Sequence, residues 1–457
     1  MREINLQALS DDARPGRLQG AVLFWCALIV VFDGYDLAVA GIALPAIMRE
    51  MGVNPAQAGF MVSSALFGMM FGNIVFGTVA ERIGRRRAIA ACLTLFSVFT
   101  AAAGLAPTPV LFGAARFLAG IGIGGVMPNV IAHMTEYAPR RVRGTLVTLM
   151  FSGYSVGGML AAVMGKAMID AHGWQSVFVA AGAPVLLVPL LMKWMPESLP
   201  FLIRHGRTDE LARIARRLDP DYRRQPGDRY VVGRADHAGR TGHAPVRQLF
   251  DDGRGFSTAM FWIACFMCLF MVYALSSWLT RLMADAGHSL GSALTFVLVL
   301  NAGAMVGAIG GGWLADRFPI KTVLVSMYLL AAVSITLLGY PMPTALLFVL
   351  VGLAGASTIG TQIVNCAYAG QFYPAAIRST GIGWTLGVGR SGAILAPIVI
   401  GALVGIDLPL AQNFMAIGLP ALVAAVAVGL IDHRRSATHH GPAAAAAERP
   451  VSAARQS

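Results

Sequence analysis

The sequence GTVAERIGRR at residues 77–86 recurs as GWLADRFPIK at residues 312–321. The two stretches lie 235 residues apart and share a glycine, an acidic residue and an arginine at the same relative positions. The same offset relates Pro139 to Pro374, which lie in a second pair of polar segments. One offset that relates two separate pairs of loops predicts two homologous halves.

The chain around these polar stretches is strongly apolar. Of its 457 residues, 56% are hydrophobic and only 13% are charged, whereas a soluble domain carries about 25% charged residues. The mean hydropathy is +0.66. This composition excludes a soluble enzyme and predicts a helical membrane protein that crosses the bilayer many times.

A bilayer core of roughly 30 Å needs about 20 apolar residues in a helix, and twelve such runs can be read. The predicted spans are residues 21–45, 56–80, 87–106, 109–133, 145–169, 174–195, 256–281, 291–315, 321–340, 343–368, 378–404 and 409–431. The predicted fold is an all-α membrane protein with twelve transmembrane helices in two pseudo-symmetric six-helix bundles. The predicted segments are a cytoplasmic tail at 1–20, a bundle at 21–195, a cytoplasmic linker at 196–254, a bundle at 255–431 and a disordered cytoplasmic tail at 432–457.

The positions of Lys and Arg predict which side of the membrane each loop faces. If the N-terminus is inside, 30 of the 35 Lys and Arg residues lie in inner segments, and only Arg49, Lys166 and Arg281 lie outside. Both termini are therefore expected in the cytoplasm. The same bias explains the net charge of +12 without a nucleic-acid partner.

Three short motifs match enzyme signatures in the wrong context. GxGxxG at 120–125 and GxSxG at 153–157 lie inside apolar spans, whereas both signatures need a preceding strand. The CxxC at 265–268 also lies in an apolar helix and has no second pair nearby. We therefore expect neither an enzyme, nor a cofactor, nor a metal site.

Four ionisable residues fall within the predicted spans: Asp33, Asp36, Arg116 and Arg390. Such residues are costly in lipid and usually serve a function. Asp33 and Asp36 are three residues apart and share one helix face, and Arg116 has a depth close to that of Asp36. The repeat offset pairs none of these charges with a like charge in the other half, so a structural need common to both halves does not explain them.

At this point the sequence resembles the major facilitator superfamily, whose inner-loop signature matches the stretch at 77–86. Asp33-Gly34-Tyr35-Asp36, Arg116-Phe117 and Pro196-Glu197-Ser198 are similar to elements of its aromatic acid:proton symporters. Glu81 stands where the family usually has Asp. The resemblance implies a transporter in a bacterial inner (plasma) membrane, working as a monomer, that imports benzoate or a hydroxybenzoate with a proton by alternating access.

Within this hypothesis the residues have three roles. Asp33 or Asp36 carries the proton, and Arg116 modulates the nearer acid. The planar fork of Arg390 holds the substrate carboxylate. The further candidates for substrate binding are Tyr154, Tyr273, Asn301, Asn365 and Trp384. The candidates for a gate at the inner surface are Glu81, Arg82, Arg85, Arg86, Glu136, Arg143, Asp316, Arg317 and Arg378.

Several alternatives stay open. Asp36 and Arg116 could form a permanent ion pair, Arg390 could pack against backbone carbonyls, and the inner arginines could serve topology alone. At the level of function, the alternatives are a drug or metabolite antiporter of the same fold and a sensor with a transporter-like body. The fifth span lacks the proline of the usual antiporter motif at Gly153–Gly158, which favours import.

Overall fold

The computed structural model describes residues 3–13, 16–219, 222–225, 228–231, 246–373 and 377–433. Within these ranges the side chains of Glu81, Asp252, Asp316 and 378–380 are not described. The predicted tail from residue 434 onwards, and residues 1–2, 14–15 and 232–245 of the tail and linker, lie outside the described residues.

The described residues of the first half form ten helices. They are α1 (Leu6–Asp12), α2 (Arg17–Met51), α3 (Pro55–Ile83), α4 (Arg85–Gly104), α5 (Pro109–Tyr137), α6 (Arg143–His172), α7 (Gln175–Ala180), α8 (Val188–Trp194), α9 (Leu199–Arg204) and α10 (Thr208–Leu218). The second half contributes six: α11 (Gly255–Asp285), α12 (Leu290–Arg317), α13 (Ile320–Leu337), α14 (Thr344–Phe372), α15 (Arg378–Gly405) and α16 (Leu410–Leu430). A 3₁₀ turn at Ala183–Leu187 joins α7 to α8.

Twelve helical segments in the described chain are long and apolar enough to cross a membrane, the sixth of them spanning Gln175–Trp194. They coincide with the twelve predicted spans, so the predicted fold of two six-helix bundles is confirmed. The first span is longer than predicted, since α2 runs over Arg17–Met51. Its length follows from good helix formers at both ends and from Gly52, which ends it in the left-handed region at φ 62°.

An even number of spans brings the start of α2 and the end of α16 to the same end of the bundle, which we call the terminal face. The end where α2 stops and α3 begins is the opposite face. Between the halves, α3 packs on α15, α6 on α12, and α2 on α11. These three helix pairs define the interface that any central site must use.

The two halves touch near the opposite face and separate near the terminal face. A Cβ at Gly59 would collide with the backbone of Pro397, and one at Gly41 with the backbone of Ser276. Across the same interface, the Ser63 hydroxyl donates to the Ile394 carbonyl oxygen at 2.7 Å. Toward the terminal face, the Cβ positions of α6 Gly144 and of α15 Gly383 and Gly387 have no described atom within 4 Å.

The N-terminal tail and the linker fold together on the terminal face. β1 (Glu3–Asn5) pairs in parallel with β2 (Arg229–Val231), and α1 contacts α10 and α5. Asn5 caps α1 by accepting from two backbone amides. The sequence predicted a plain tail and an amphipathic linker, because two three-residue strands give no periodic signal by themselves.

Candidate functional site

The four predicted intramembrane charges are all placed inside the protein rather than in lipid. Asp33, Asp36 and Arg116 are each at most 1% exposed, and Arg390 is partly buried. Their hydrogen-bond partners differ, however. Asp36 and Arg116 bind each other, whereas Asp33 has no hydrogen-bond partner and Arg390 has one long one among the described residues.

Asp36 and Arg116 form an ion pair within the first half. Nη1 of Arg116 lies 3.0 Å from both carboxylate oxygens of Asp36, and Nη2 donates to the Asp36 carbonyl oxygen at 3.2 Å. The hydroxyl of Thr100 on α4 donates to the same carboxylate. The ring of Phe178 lies 5.9 Å from the Arg116 guanidinium. Both terminal nitrogens of the Arg116 guanidinium therefore already donate hydrogen bonds to Asp36. The sequence analysis did not identify Thr100 as a partner.

Asp33 has the opposite environment. Neither of its carboxylate oxygens has a hydrogen-bond partner among the described residues. It interacts electrostatically with Asp36 on its own helix and with Arg390 of the other half. An ionised carboxylate buried without a donor is costly, and among the described intramembrane acids Asp33 is the one without a hydrogen-bond partner.

Among the described residues Arg390 makes one side-chain hydrogen bond, in which Nη1 donates to the Tyr273 hydroxyl at 3.4 Å. That distance is at the long end for a hydrogen bond. Tyr154, on α6 in the first half, is close enough to Asp33, Tyr273 and Arg390 for electrostatic interaction. Asp33, Tyr154, Tyr273 and Arg390 therefore form a polar cluster that crosses from one half to the other.

A small cavity of about 20 Å³ lies between the halves, which is room for on the order of one water molecule. Its polar lining comes from Arg116, Tyr154, Tyr273, Asn301 and serines of α11. The lining does not include Asp33 or Arg390. An aromatic ring could enter only if the halves moved apart.

The remaining substrate-binding candidates are dispersed. The Asn301 amide donates to the Val297 carbonyl at 2.9 Å and packs against Gly158 of the other half. Asn365 is 1% exposed, and its amide has no partner among the described residues. Trp384 is 43% exposed and stacks on Trp262 with ring centroids 5.7 Å apart. Neither Asn365 nor Trp384 lines the cavity.

The predicted gate residues form two clusters on the terminal face, both attached to the first half. Arg85 pairs with Glu136, and the other oxygen of Glu136 accepts from the Leu199 amide at 3.2 Å. Arg143 pairs with Asp11 of α1, and the Arg140 amide donates to the Asp11 carbonyl at 3.1 Å. The sequence analysis missed Asp11, because a partner 132 residues away leaves no local pattern.

Glu197 is a second partner that the sequence analysis did not assign to this network. One of its oxygens accepts from the backbone amides of Arg86 at 3.0 Å and Ser198 at 2.9 Å. Its carbonyl accepts from the Tyr137 hydroxyl at 2.5 Å. Glu197 thus fastens the start of α4 to the segment after α8. The Pro196-Glu197-Ser198 motif was the available signal.

Among the other predicted gate residues, Arg82 is exposed. Arg317 lies 4.1 Å from the ring of Trp313. The side chains of Glu81, Asp316 and Arg378 lie outside the described part of the structure.

Comparison with known proteins agrees with this architecture. The model of the Major Facilitator Superfamily matches residues 26–365 and 302–456. The chain is 45% identical to the benzoate transport protein of Acinetobacter baylyi, over 95% of this chain and 94% of that protein. It is 36% identical to the gallate transporter of Pseudomonas putida (93% and 94%) and 34% identical to a 4-hydroxybenzoate transporter of the same species (94% and 97%).

Solved structures give the same fold at lower identity. A bacterial homologue of the human lysosomal transporter Spinster superposes with a TM-score of 0.69 at 18% identity, over 92% of this chain and 98% of that one. The Escherichia coli xylose transporter XylE gives 0.67 at 18% identity, over 90% and 98%. The family model and the sequence relatives confirm the predicted resemblance, its aromatic acid branch and the expectation that the protein is not an enzyme. With twelve apolar spans, the chain is a multi-pass membrane protein and belongs to the Major Facilitator Superfamily.

Proposed function

We propose that this transporter imports an aromatic carboxylate of the benzoate or hydroxybenzoate type together with a proton, by alternating access. Its relatives are named for benzoate, gallate and 4-hydroxybenzoate, and these acids share a carboxylate on an aromatic ring. A site for them needs one cation for the carboxylate and apolar walls for the ring.

The observation that carries the proposal is the contrast between the two buried arginines. The fork of Arg116 is filled by Asp36, whereas Arg390 holds only the long contact to Tyr273 among the described residues. A carboxylate binds an arginine fork through two parallel charge-assisted bonds. Arg390 is therefore the arginine that can receive the substrate, with Tyr154, Tyr273, Asn301, Asn365 and Trp384 as candidates around the ring.

Asp33 is the proposed proton carrier. It is buried, unpartnered among the described residues, and electrostatically coupled to Arg390. Asp36 and Arg116 are the fixed pair that holds α2, α4 and α5 together beside it. Moving one negative charge inward against 100 mV costs about 2.3 kcal/mol. One accompanying proton cancels this charge, and the pH gradient then drives entry.

The contacts between the halves lie near the opposite face, which supports an inward-facing conformation. The positive loops lie on the terminal face, which supports placing that face in the cytoplasm of a bacterial inner membrane. In the outward-facing state the terminal ends of the halves would meet, and the residues predicted for the gate (Glu81, Arg82, Arg85, Arg86, Glu136, Arg143, Asp316, Arg317 and Arg378) would hold them. We propose that one copy of the chain is sufficient for transport.

The test is uptake of labelled benzoate into proteoliposomes that contain the purified protein. With an inward proton gradient we expect accumulation that an uncoupler abolishes, and no accumulation in vesicles that lack protein. Extrusion of preloaded benzoate under the same gradient would instead identify the alternative, a drug or metabolite antiporter. The lack of a proline in Gly153–Gly158 favours import.

A further inference from the structure

The cavity between the halves is small and polar, and the protein itself does not satisfy its polar groups. The volume of about 20 Å³ is room for on the order of one water molecule. Arg116 lines the cavity, and its buried Nε has no hydrogen-bond partner among the described residues. A buried polar group without a partner costs free energy, so the cavity favours a polar occupant about as large as a water molecule.

The second half lines the same cavity with Ser276 and Ser277 of α11 and with Asn301 of α12. Neither serine hydroxyl makes a hydrogen bond within the described part of the chain, whereas the helical Ser334 donates to its own helix at 2.7 Å. The Asn301 amide nitrogen donates to a carbonyl of α12, but its oxygen accepts no bond from the described residues. The cavity therefore offers both donors and an acceptor, which is what a hydroxyl group can use.

Tyr273 connects this polar cavity to Arg390. Its side chain lines the cavity, and its hydroxyl accepts from Nη1 of Arg390 at 3.4 Å. Arg390, Tyr273, the two serines and Asn301 all belong to the second half. Since alternating access moves the halves largely as rigid bodies, the spacing between the arginine and these polar groups is kept throughout the cycle.

Arg390 also borders the open side of the interface. Gly383, Gly387 and Arg390 are spaced four and three residues apart and share one face of α15. The Cβ positions of both glycines have no described atom within 4 Å. Arg390 thus lies between the open space of the terminal side and the closed polar cavity.

We propose that Ser276, Ser277 and Asn301 recognise a hydroxyl group on the ring of the substrate, so that a hydroxybenzoate binds in preference to benzoate. This inference rests on the proposed function, because it takes the carboxylate to be on Arg390. Once the halves part around the ring, the ring lies beside Tyr273 and its hydroxyl replaces the water. That hydroxyl donates to the Asn301 oxygen and accepts from a serine.

A methyl group at the same ring position separates hydrogen bonding from size. It fills about the same space as a hydroxyl but can neither donate nor accept, so it displaces the water and leaves the polar groups unpartnered. A ring hydrogen, as in benzoate, leaves the water in place. The expected order of affinity is therefore hydroxyl, then hydrogen, then methyl, whereas an apolar pocket would favour methyl over hydroxyl.

The test is calorimetric binding of benzoate, 3- and 4-hydroxybenzoate and 3- and 4-methylbenzoate to the purified full-length protein. One hydroxy isomer should bind about 2- to 10-fold more tightly than benzoate, the range that one added hydrogen bond produces. The methylbenzoate with the same substitution position should bind more weakly than benzoate. The isomer that gains affinity identifies the ring position that reaches the cavity.

Two results overturn the proposal while the proposed function stands. Either neither hydroxy isomer binds more tightly than benzoate, or the matching methylbenzoate binds as tightly as the favoured hydroxybenzoate. If none of the five acids binds, the proposed function fails, and the hydroxyl site fails with it.

Substitutions test which side chains carry the preference. The measured quantity is the ratio of the dissociation constants of benzoate and the favoured hydroxybenzoate, because a general loss of affinity cancels in this ratio. Asn301→Ala, and the double substitution of Ser276→Ala with Ser277→Ala, should each bring the ratio toward unity. Ser334→Ala is the matched control, since this buried serine bonds within α13 and does not line the cavity. A preference that survives both changes, or that Ser334→Ala removes equally, would contradict the assignment.

Discussion

Two carboxylates three residues apart on one helix have different surroundings. Asp36 accepts from Arg116 and Thr100 inside the first half, while Asp33 has no hydrogen-bond partner in the described chain. Their spacing alone left the proton role open to either acid. The surrounding helices divide the roles, because α4 and α5 supply donors to only one of the two.

Asp33→Asn should abolish proton-driven accumulation and remove the pH dependence of benzoate exchange, because an amide cannot carry the proton. The measurement is benzoate uptake and exchange in proteoliposomes between about pH 5.5 and 8, the range in which a coupling group must titrate. Unfolding in detergent should be little changed, since the amide is nearly isosteric. Proton-driven uptake that survived this substitution would remove Asp33 from the coupling role.

Asp36→Asn is the matched comparison and should act chiefly on stability. It leaves the buried Arg116 guanidinium without its counter-charge, which costs about 3–5 kcal/mol in a buried pair. We expect a clear fall in the unfolding temperature in detergent, measured by tryptophan fluorescence. A variant as stable as the parent would show that this pair does not hold α2 against α5.

Arg390→Lys should weaken benzoate binding about 10- to 100-fold, which corresponds to the loss of one charge-assisted hydrogen bond. Lysine keeps the charge but cannot form the two parallel bonds of the fork. Binding to the purified protein is measured by calorimetry, with Arg281→Lys at an exposed pair with Asp285 as the control. Unchanged affinity in Arg390→Lys would place the carboxylate elsewhere.

At the scale of elements, the terminal face carries a small assembly built from two distant parts of the chain. β1 and α1 come from the N-terminus, whereas β2 and α10 come from the linker. Buried side chains from both parts, including Ile4 and Tyr230, form its core. Tyr222 lies outside the membrane spans, and its hydroxyl is 2.8 Å from both the Tyr230 hydroxyl and the Asp228 carboxylate. Burial, followed by these hydrogen bonds, raises the pKa of Tyr222.

Removing residues 1–12 should expose β2 and release Arg143 from Asp11. We expect faster hydrogen exchange in Arg229–Val231 and around Tyr222, because the parallel pairing and its apolar cover are lost. Asp11→Asn tests the ion pair alone, and it should loosen α1 while leaving β1 paired with β2. Unchanged exchange after the deletion would mean that β2 is held by other contacts.

At the scale of the whole molecule, the helices between the halves have closely packed glycines near the opposite face. Near the terminal face, their glycines have no described atom close to the Cβ position. Gly59 meets Pro397 across the closed side, while Gly144 and Gly387 face open space in the described structure. Alternating access requires these two situations to exchange. Bulk added at either end should therefore stop the cycle in opposite states.

Gly59→Leu should prevent the halves from closing at the opposite face, and Gly387→Leu should prevent them from closing at the terminal face. Both variants should lose net uptake. Ser63 is buried against Ile394 of the other half, so a Ser63→Cys thiol reports opening of the opposite face, and only Gly59→Leu should raise its rate of labelling by a membrane-impermeant maleimide. Gly429→Leu, near the end of α16 where no described atom lies within 4 Å of the Cβ position, is the control and should transport normally. Equal labelling in the two variants would contradict the assignment of a closed and an open side.

Residue order alone determined the number of spans, the doubling of the halves and the identity of the four buried charges. These features depend on local properties: a run of about 20 apolar residues specifies a span, and a charge within it is conspicuous because lipid cannot solvate it. The family signature at 77–86 gave the fold for the same reason, since its residues are contiguous. Asp33, Asp36, Arg116 and Arg390 could thus be selected without coordinates.

Only the tertiary structure decided which of these charges are paired and which are available. Thr100 and Arg116, on two other helices, both donate hydrogen bonds to Asp36. Asp11 pairs with Arg143, 132 residues along the chain, and β1 pairs with β2, which lies more than 200 residues further on. Which charges meet is set by how helices pack and which side chains then compete for the same donor. A sequence pattern describes one segment at a time, so it cannot contain the outcome of that competition.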